Sequence, residues 1–218
     1  MNDFIAKLLD HKQPMEITPE RTSVVMINLK TARLLCGRNI ETGDKLTDKD
    51  KKVLEIRDAL WKEGLGYSYF SGIMCYLVLL EQLGQIFNPS TTQENAIYKV
   101  LKTYNNVANS DENYTLVGLR NALAHNGGLV SKSDNYPKKF VLSLEESNKV
   151  VELPQENWDN NYSNKSEDCD TIIYVNNFID LVEDIFRRVK EDAINGSLIP
   201  IDEQEIKSRF TAVSYTHL

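Results

Sequence analysis

The stretch from Gly64 to Leu80 contains no charged residue, and it constrains the fold of this 218-residue chain more than any other segment. A helix that spans a membrane needs about 20 mostly apolar residues, whereas glycines, serines and tyrosines interrupt this stretch. It therefore predicts the central helix of a helical bundle, Tyr67 to Phe87, and no membrane span. We expect Tyr76 and Leu79 to lie in the core and Gly72 to allow another helix to approach closely.

Five further segments carry apolar residues at helical spacing and begin or end at recognisable helix signals. They are residues 3–12 before Pro14, Thr18 to Gly37 with Pro19 at the first helical position, residues 47–61, residues 91–104, and Asn176 to Asn195.

Between about residues 138 and 175 the pattern changes to short β-prone runs. Phe140–Leu144 and Val150–Leu153 predict the two strands of a hairpin, and Thr171–Val175 predicts a third short strand. The polar stretch Gln155–Asp170 predicts a mobile loop. The expected fold is mainly α, a helical bundle with a small antiparallel β hairpin or sheet inserted before the last long helix.

The helix before this β region ends at Asn126-Gly127-Gly128, residues that accept a left-handed helix cap. Upstream, leucines at positions 116, 119 and 123 recur at a spacing of three and four, which places them on one buried face. Arg120, Asn121, Ala124 and His125 then fall on a strip roughly opposite the leucines. The long Arg120 side chain can lean across the small Ala124 toward the imidazole of His125.

Arginine beside histidine is a suitable pair for RNA cleavage. A guanidinium holds a phosphate through two parallel hydrogen bonds, and an imidazole exchanges a proton near neutral pH. The helix dipole also favours a positive charge at the position of His125, by a few tenths to about 1 kcal/mol.

The pattern Arg120-Asn121-x-x-x-His125 resembles the Arg-polar-x3-His motif of the HEPN superfamily (higher eukaryote and prokaryote nucleotide-binding domains), over about residues 50–195. The resemblance implies a small helical bundle and, as in many members, a metal-independent endoribonuclease without a cofactor. It also implies a homodimer in which the motif helices of two protomers face each other and build one composite active site.

The resemblance further implies a role for each residue. The RNA 2′-hydroxyl is the nucleophile, Arg120 stabilises charge on the phosphate, His125 is an acid or base, and Asn121 orients one of them or contacts the phosphate. It places the protein in phage defence or a toxin–antitoxin pair, with an antitoxin or operon partner, in a bacterial-like cytoplasm. Some toxin members carry a tyrosine two residues after the histidine as the target of a partner nucleotidyltransferase. Gly127 stands at that position here, which argues against such regulation.

Two alternatives stay open beside the catalytic interpretation. A histidine at a helix end often only hydrogen-bonds a carbonyl, and a helical arginine is usually solvated, so the chain is alternatively a non-catalytic HEPN-like nucleotide- or RNA-binding or dimerisation module. Lys132, Lys138 and Lys139 follow the motif and are secondary candidates for contacts to the RNA backbone. Solvated lysines of a hairpin are the commoner interpretation of the same residues.

Composition is consistent with a cytosolic protein and narrows its partners. The net charge of −7 argues against broad nucleic-acid binding but allows a local basic site. The three cysteines are far apart and show neither a disulfide framework nor zinc-like spacing, and the carboxylates lack nearby histidines that would suggest a metal. The N-terminal residues lack the basic and apolar regions of a signal peptide.

The sequence predicts an N-terminal helical extension at residues 1–46, a HEPN-like domain at residues 47–196, and a C-terminal tail at residues 197–218. The last six residues, Val213 to Leu218, resemble a translated sequencing adapter, so we expect the natural coding sequence to extend only to about Ala212.

Overall fold

The computed structural model describes residues 1–10, 16–18, 21–47, 50–62, 68–87, 95–105, 110–132 and 138–213. Contacts divide the chain into two compact units, Met1–Thr92 with Phe186–Leu218 and, separately, Gln93–Ile185. Of the described residues 60% are helical, and the rest include small sheets, which confirms the prediction of a mainly α protein. The predicted division into an extension, a central domain and a tail stays a prediction.

The helices and strands of the described residues are named here in chain order. The helices are α1 (Asn2–Leu8), α2 (Val24–Leu35), α3 (Lys51–Lys62), α4 (Ser68–Ile86), α5 (Ala96–Tyr104), α6 (Ser110–Asn126), α7 (Val175–Asn195) and α8 (Glu203–Phe210). The strands are β1 (Glu16–Thr18), β2 (Arg21–Ser23), β3 (Val130–Ser131), β4 (Lys138–Ser143), β5 (Val151–Glu152), β6 (Asp170–Tyr174) and β7 (Thr211–Val213).

Helix α4 is the central helix of the first unit, as its lack of charge predicted. Tyr76 and Leu79 are completely buried, and α4 packs along α2. Gly72 faces the end of α2, where a Cβ atom would come closer than 3.0 Å to Sγ of Cys36. The glycine therefore permits the close approach of the two helices, as predicted.

The start of α2 differs from the prediction. The segment expected to begin a helix at Thr18 forms the strands β1 and β2 instead, and α2 begins only at Val24. The hydroxyl of Ser23 accepts a hydrogen bond from the Met26 amide at 3.1 Å and donates one to the Leu8 carbonyl at 2.8 Å. A cap that also ties the helix to α1 explains why Ser23, and not Thr18, marks its first turn.

Part of the predicted tail is folded. Asp202 caps α8 by accepting hydrogen bonds from the Gln204 and Glu205 amides, and Ile206 and Phe210 of this helix are buried. Strand β7 then pairs with β2 in a three-stranded sheet of order β1-β2-β7.

The β region of the second unit forms a four-stranded sheet of order β3-β4-β6-β5. The predicted hairpin between residues 140–144 and 150–153 is wrong, because β6 lies between β4 and β5. Strand β6 buries Thr171 and Ile173 on one face, pairs in parallel with β4, and pairs antiparallel with β5. The third strand was predicted correctly, but it lies between β4 and β5 and pairs with them in opposite senses, so the sheet is mixed.

The remaining helices agree with the prediction within a few residues. The apolar positions of α5, Ile97, Val100, Leu101 and Tyr104, are buried, and α7 buries Phe178 and Val182. The predicted start of α5 at residues 91–94, the predicted break at Pro14, the predicted first helical position at Pro19, and the side chain of Trp61 lie outside the described residues.

Candidate functional site

Helix α6 positions the motif by burying the face opposite to it. Leu116 and Leu119 are completely buried, and Leu123 is 4% exposed, within a unit in which α6 packs against α5 and β3. Arg120 is half-buried and His125 is exposed. Burial of the leucines therefore turns the polar residues toward solvent, as the helical spacing predicted.

The two alanines of the motif separate onto different faces. Ala122 is completely buried inside its own protomer, whereas Ala124 is exposed between Arg120 and His125. Asn121 is half-buried beside Arg120. The exposed and half-buried strip of α6 thus consists of Arg120, Asn121, Ala124 and His125.

The end of α6 is held by the residues that follow the histidine. Gly127 has φ +60°, and the Gly128 amide donates to the Ala122 carbonyl at 3.3 Å. The side-chain amide of Asn126 donates to the Val130 carbonyl at 2.9 Å. These contacts hold the C-terminal end of α6, which carries His125, against β3.

Arg120 and His125 are in direct contact. Nη1 of Arg120 lies 2.8 Å from Nε2 of His125 and also donates to Oδ1 of Asn121 at 3.3 Å. The guanidinium therefore reaches the imidazole, as we expected, and brings all three candidate residues together.

This contact determines which imidazole nitrogen carries the proton. A guanidinium has five N–H donors and no acceptor, so Nε2 of His125 must accept and the proton lies on Nδ1. In this arrangement Nε2 of the imidazole is unprotonated and accepts a hydrogen bond from the guanidinium.

The three candidate lysines do not converge on the motif as a group. Nζ of Lys139 is 2.6 Å from Oδ1 of Asp170, an ion pair without hydrogen-bond geometry to that oxygen, and it reaches the Ser166 carbonyl at 3.4 Å. Burial lowers the pKa of Lys138, and Asp111 acts in the opposite direction. Lys132 is exposed, and its ammonium lies 4.1 Å from the ring centroid of Tyr162.

Tyr162 and its neighbour Trp158 were missed by the sequence analysis, which treated residues 155–170 as a mobile polar loop. The sequence contains one signal that could have identified them: Trp158 and Tyr162 are aromatic residues within an otherwise polar stretch. Trp158 is 3% exposed, and its indole N–H donates to the Asn161 carbonyl at 3.2 Å. Tyr162, by contrast, is 69% exposed.

The part of the chain that the structure describes contains neither a candidate metal-binding cluster nor a candidate membrane-spanning helix. No cluster of three or more histidine, cysteine, aspartate or glutamate side chains there is arranged to bind a metal ion. No helix within the described ranges combines the length and apolar character that a membrane crossing requires.

Comparison with known proteins identifies no relative. Neither protein-family models nor searches of curated proteins and of solved structures give a match to this chain.

Proposed function

We propose that this chain is a HEPN-type, metal-independent endoribonuclease that acts in the cytoplasm as a homodimer through α6, in phage defence or as the toxin of a toxin–antitoxin pair. One observation supports the proposal most: the Arg120 guanidinium lies 2.8 Å from the His125 imidazole on an exposed strip of a helix. A phosphate-binding group and a proton-transfer group are thereby adjacent and accessible to RNA.

The proposed reaction begins when an RNA phosphate reaches this strip. Its oxygens are better acceptors for the guanidinium than a neutral imidazole, because the hydrogen bonds are charge-assisted and bidentate. Arg120 then moves from Nε2 of His125 to the phosphate, and Asn121 Oδ1, 3.3 Å from Nη1 in the free protein, limits how far the guanidinium travels. Substrate binding itself thereby frees the base.

The freed Nε2 of His125 accepts the proton of the RNA 2′-hydroxyl as its oxygen attacks the adjacent phosphorus. Arg120 stabilises the negative charge that develops on the phosphate oxygens. The bond from phosphorus to the 5′ oxygen breaks, and that oxygen takes a proton from the second His125 of a composite dimer site, which has taken up a proton from solvent and enters the step as an imidazolium. The products are a 2′,3′-cyclic phosphate and a 5′-hydroxyl.

The test is to incubate purified protein with end-labelled total RNA in EDTA and to identify the ends of the products. Loss of acid–base catalysis in His125→Ala should lower cleavage by about 10²- to 10⁴-fold. Loss of the charge-stabilising donor in Arg120→Ala should lower it by about 10²- to 10³-fold. Arg120→Lys keeps the charge but loses the two-pronged geometry, and should recover only part of the activity.

Two combinations sharpen this test. Because both residues act on one transition state, the double variant should be much less impaired than the product of the single effects. In a composite site, mixing the two single variants should restore some activity only if one heterodimer site draws its Arg120 and His125 from opposite, intact copies. Cleavage within about threefold of the original protein for both single variants would rule out catalysis by this pair.

The second candidate function is a non-catalytic HEPN-like module that binds RNA or nucleotides or serves for dimerisation. The net charge of −7 favours it, since a protein that turns over RNA usually presents a basic surface. A clear dimer that leaves total RNA intact over a long incubation, with or without added divalent ions, would support this alternative.

A further inference from the structure

The loop that carries Tyr162 presents an aromatic ring and a cation together at the surface. Tyr162 is 69% exposed, and the Lys132 ammonium lies 4.1 Å from its ring centroid. The ring centroids of Trp158 and Tyr162 lie 5.7 Å apart in an edge-on arrangement with an interplanar angle of 60°. An accessible ring beside a lysine is the combination that holds a base and its phosphate in single-stranded nucleic acids.

The tyrosine is held by the loop on both sides. The Asn161 amide donates to Oδ1 of Asp159 at 2.9 Å, and the Ser163 amide donates to Oδ1 of Asn161 at 2.9 Å. The indole of Trp158 is buried below and bonded to the Asn161 carbonyl. The backbone on either side of Tyr162 is therefore set in tight turns before any ligand binds, which reduces the ordering cost of stacking.

The chain connects this ring to the motif by a short path. Asn126, next to His125, bonds to the Val130 carbonyl at 2.9 Å. Lys132 follows Val130 by two residues, which span about 7 Å in extended chain. Lys132, and through it Tyr162, therefore lies within a short stretch of chain from the motif end of α6.

We propose that Tyr162 and Lys132 form a subsite that stacks an unpaired RNA base a short distance from the cleaved phosphate, an inference that rests on the proposed ribonuclease function. Acidic residues outnumber basic ones in the loop 155–170. Stacking must therefore supply most of the affinity. The Lys132 ammonium, which lies over the Tyr162 ring in the free protein, leaves that face when a base stacks there and contributes one phosphate contact. The subsite selects single-stranded RNA, because a paired base has no free face for the ring.

The experiment measures binding of a short fluorescent single-stranded oligoribonucleotide of mixed sequence in EDTA. The protein carries His125→Ala, so that the probe stays intact. Tyr162→Ala should weaken binding by about 5- to 150-fold, and Tyr162→Trp should retain or strengthen it, since base–aromatic stacking depends on the ring. Lys132→Gln should reduce the slope of log Kd against log salt by about 0.7, the value for one phosphate contact on a single strand.

A matched control is the lysine–tyrosine pair on α5. The Lys102 ammonium lies 5.8 Å from the ring centroid of Tyr98, which is only 9% exposed and already stacked on Tyr114. Lys102→Gln makes the same change of charge beside a ring that no base can reach. It should leave binding and its salt dependence unchanged.

The outcomes separate this inference from the ribonuclease itself. Suppose that the original protein cleaves RNA but the Tyr162→Ala variant binds the single strand as tightly as the protein that keeps Tyr162. The subsite is then refuted and the ribonuclease function stands. Stacking at Tyr162 is also refuted if Tyr162→Ala loses as much affinity for an RNA duplex as for the single strand. It is likewise refuted if Lys102→Gln weakens binding of the single strand as much as Lys132→Gln does. If no RNA is cleaved yet Tyr162→Ala alone loses the single strand, the ribonuclease fails and the stacking surface stands.

Discussion

Substitution of Gly72 by alanine tests the packing of α4 against the end of α2. The added Cβ would come within 3.0 Å of Cys36 Sγ, closer than such atoms approach in proteins, and would lie 3.2 Å from Leu35 Cβ and 3.3 Å from the Cys36 amide nitrogen. The sulfur can turn away only within a buried site, because Cys36 is 3% exposed. Leu35 Cβ and the Cys36 amide nitrogen are attached directly to, or part of, the backbone at the end of α2, so they move only when that backbone moves.

The expected magnitude follows from two opposing terms. Alanine gains about 0.8–1 kcal/mol over glycine as a helix residue, whereas an extra methyl in a closely packed core costs typically about 1–3 kcal/mol. Since two of the three close atoms cannot rotate away, the upper part of the second range applies. Gly72→Ala should therefore lower the free energy of unfolding by about 1–2 kcal/mol.

The matched control is Gly118→Ala on α6. There the nearest atom to the added Cβ is Phe140 Cζ at 3.6 Å, an ordinary van der Waals contact. The helix gain then stands unopposed, so Gly118→Ala should raise the free energy of unfolding by up to about 1 kcal/mol. The same substitution on two helices is expected to have opposite signs.

Urea unfolding followed by far-ultraviolet circular dichroism measures both effects, with the slope against denaturant used to check that the unfolding reaction is unchanged. A double-mutant cycle identifies the clash, because Cys36→Ala removes the sulfur, the closest of the three atoms, and should cancel the part of the cost of Gly72→Ala that the sulfur causes. A Gly72→Ala protein as stable as the original, or additive effects of the two substitutions, would refute the packing argument.

Three other predictions concern separate parts of the molecule. If two α6 helices meet at the exposed strip, Ala124→Arg should convert the expected dimer into a monomer by light scattering, and an original protein that is monomeric would contradict this interface. The hydrogen bond from Tyr174, at 2.6 Å, holds the pKa of Glu152 below its ordinary value. This stabilisation exists above the ordinary carboxyl pKa and is lost as pH falls through the lowered one, so Tyr174→Phe should lower Tm near neutral pH but little in acid. Removal of residues 214–218 should leave Tm unchanged, whereas removal from Thr211 onward should lower it, because β7 pairs with β2.

Local sequence rules predicted the helices and the layout of the motif. Apolar spacing placed α4, α5 and α7, and the leucines of α6 turned Arg120 and His125 outward. These predictions hold because each depends on the geometry of a single helix, in which the separation of two residues along the chain determines their direction. The glycine stop after His125 is local in the same sense, since Gly127 needs only its own backbone conformation.

Features that depend on distant segments could be decided only by the tertiary structure. The strand order places β6 between two segments that look like a hairpin in the sequence, because strand pairing joins residues far apart and has no local signature. Likewise Lys139 is paired with Asp170 while Lys132 lies on Tyr162, although the lysines look equivalent in sequence. The local sequence determines the charge of a side chain and its position on a helix or strand. Its contact partner depends on which distant segment packs against it.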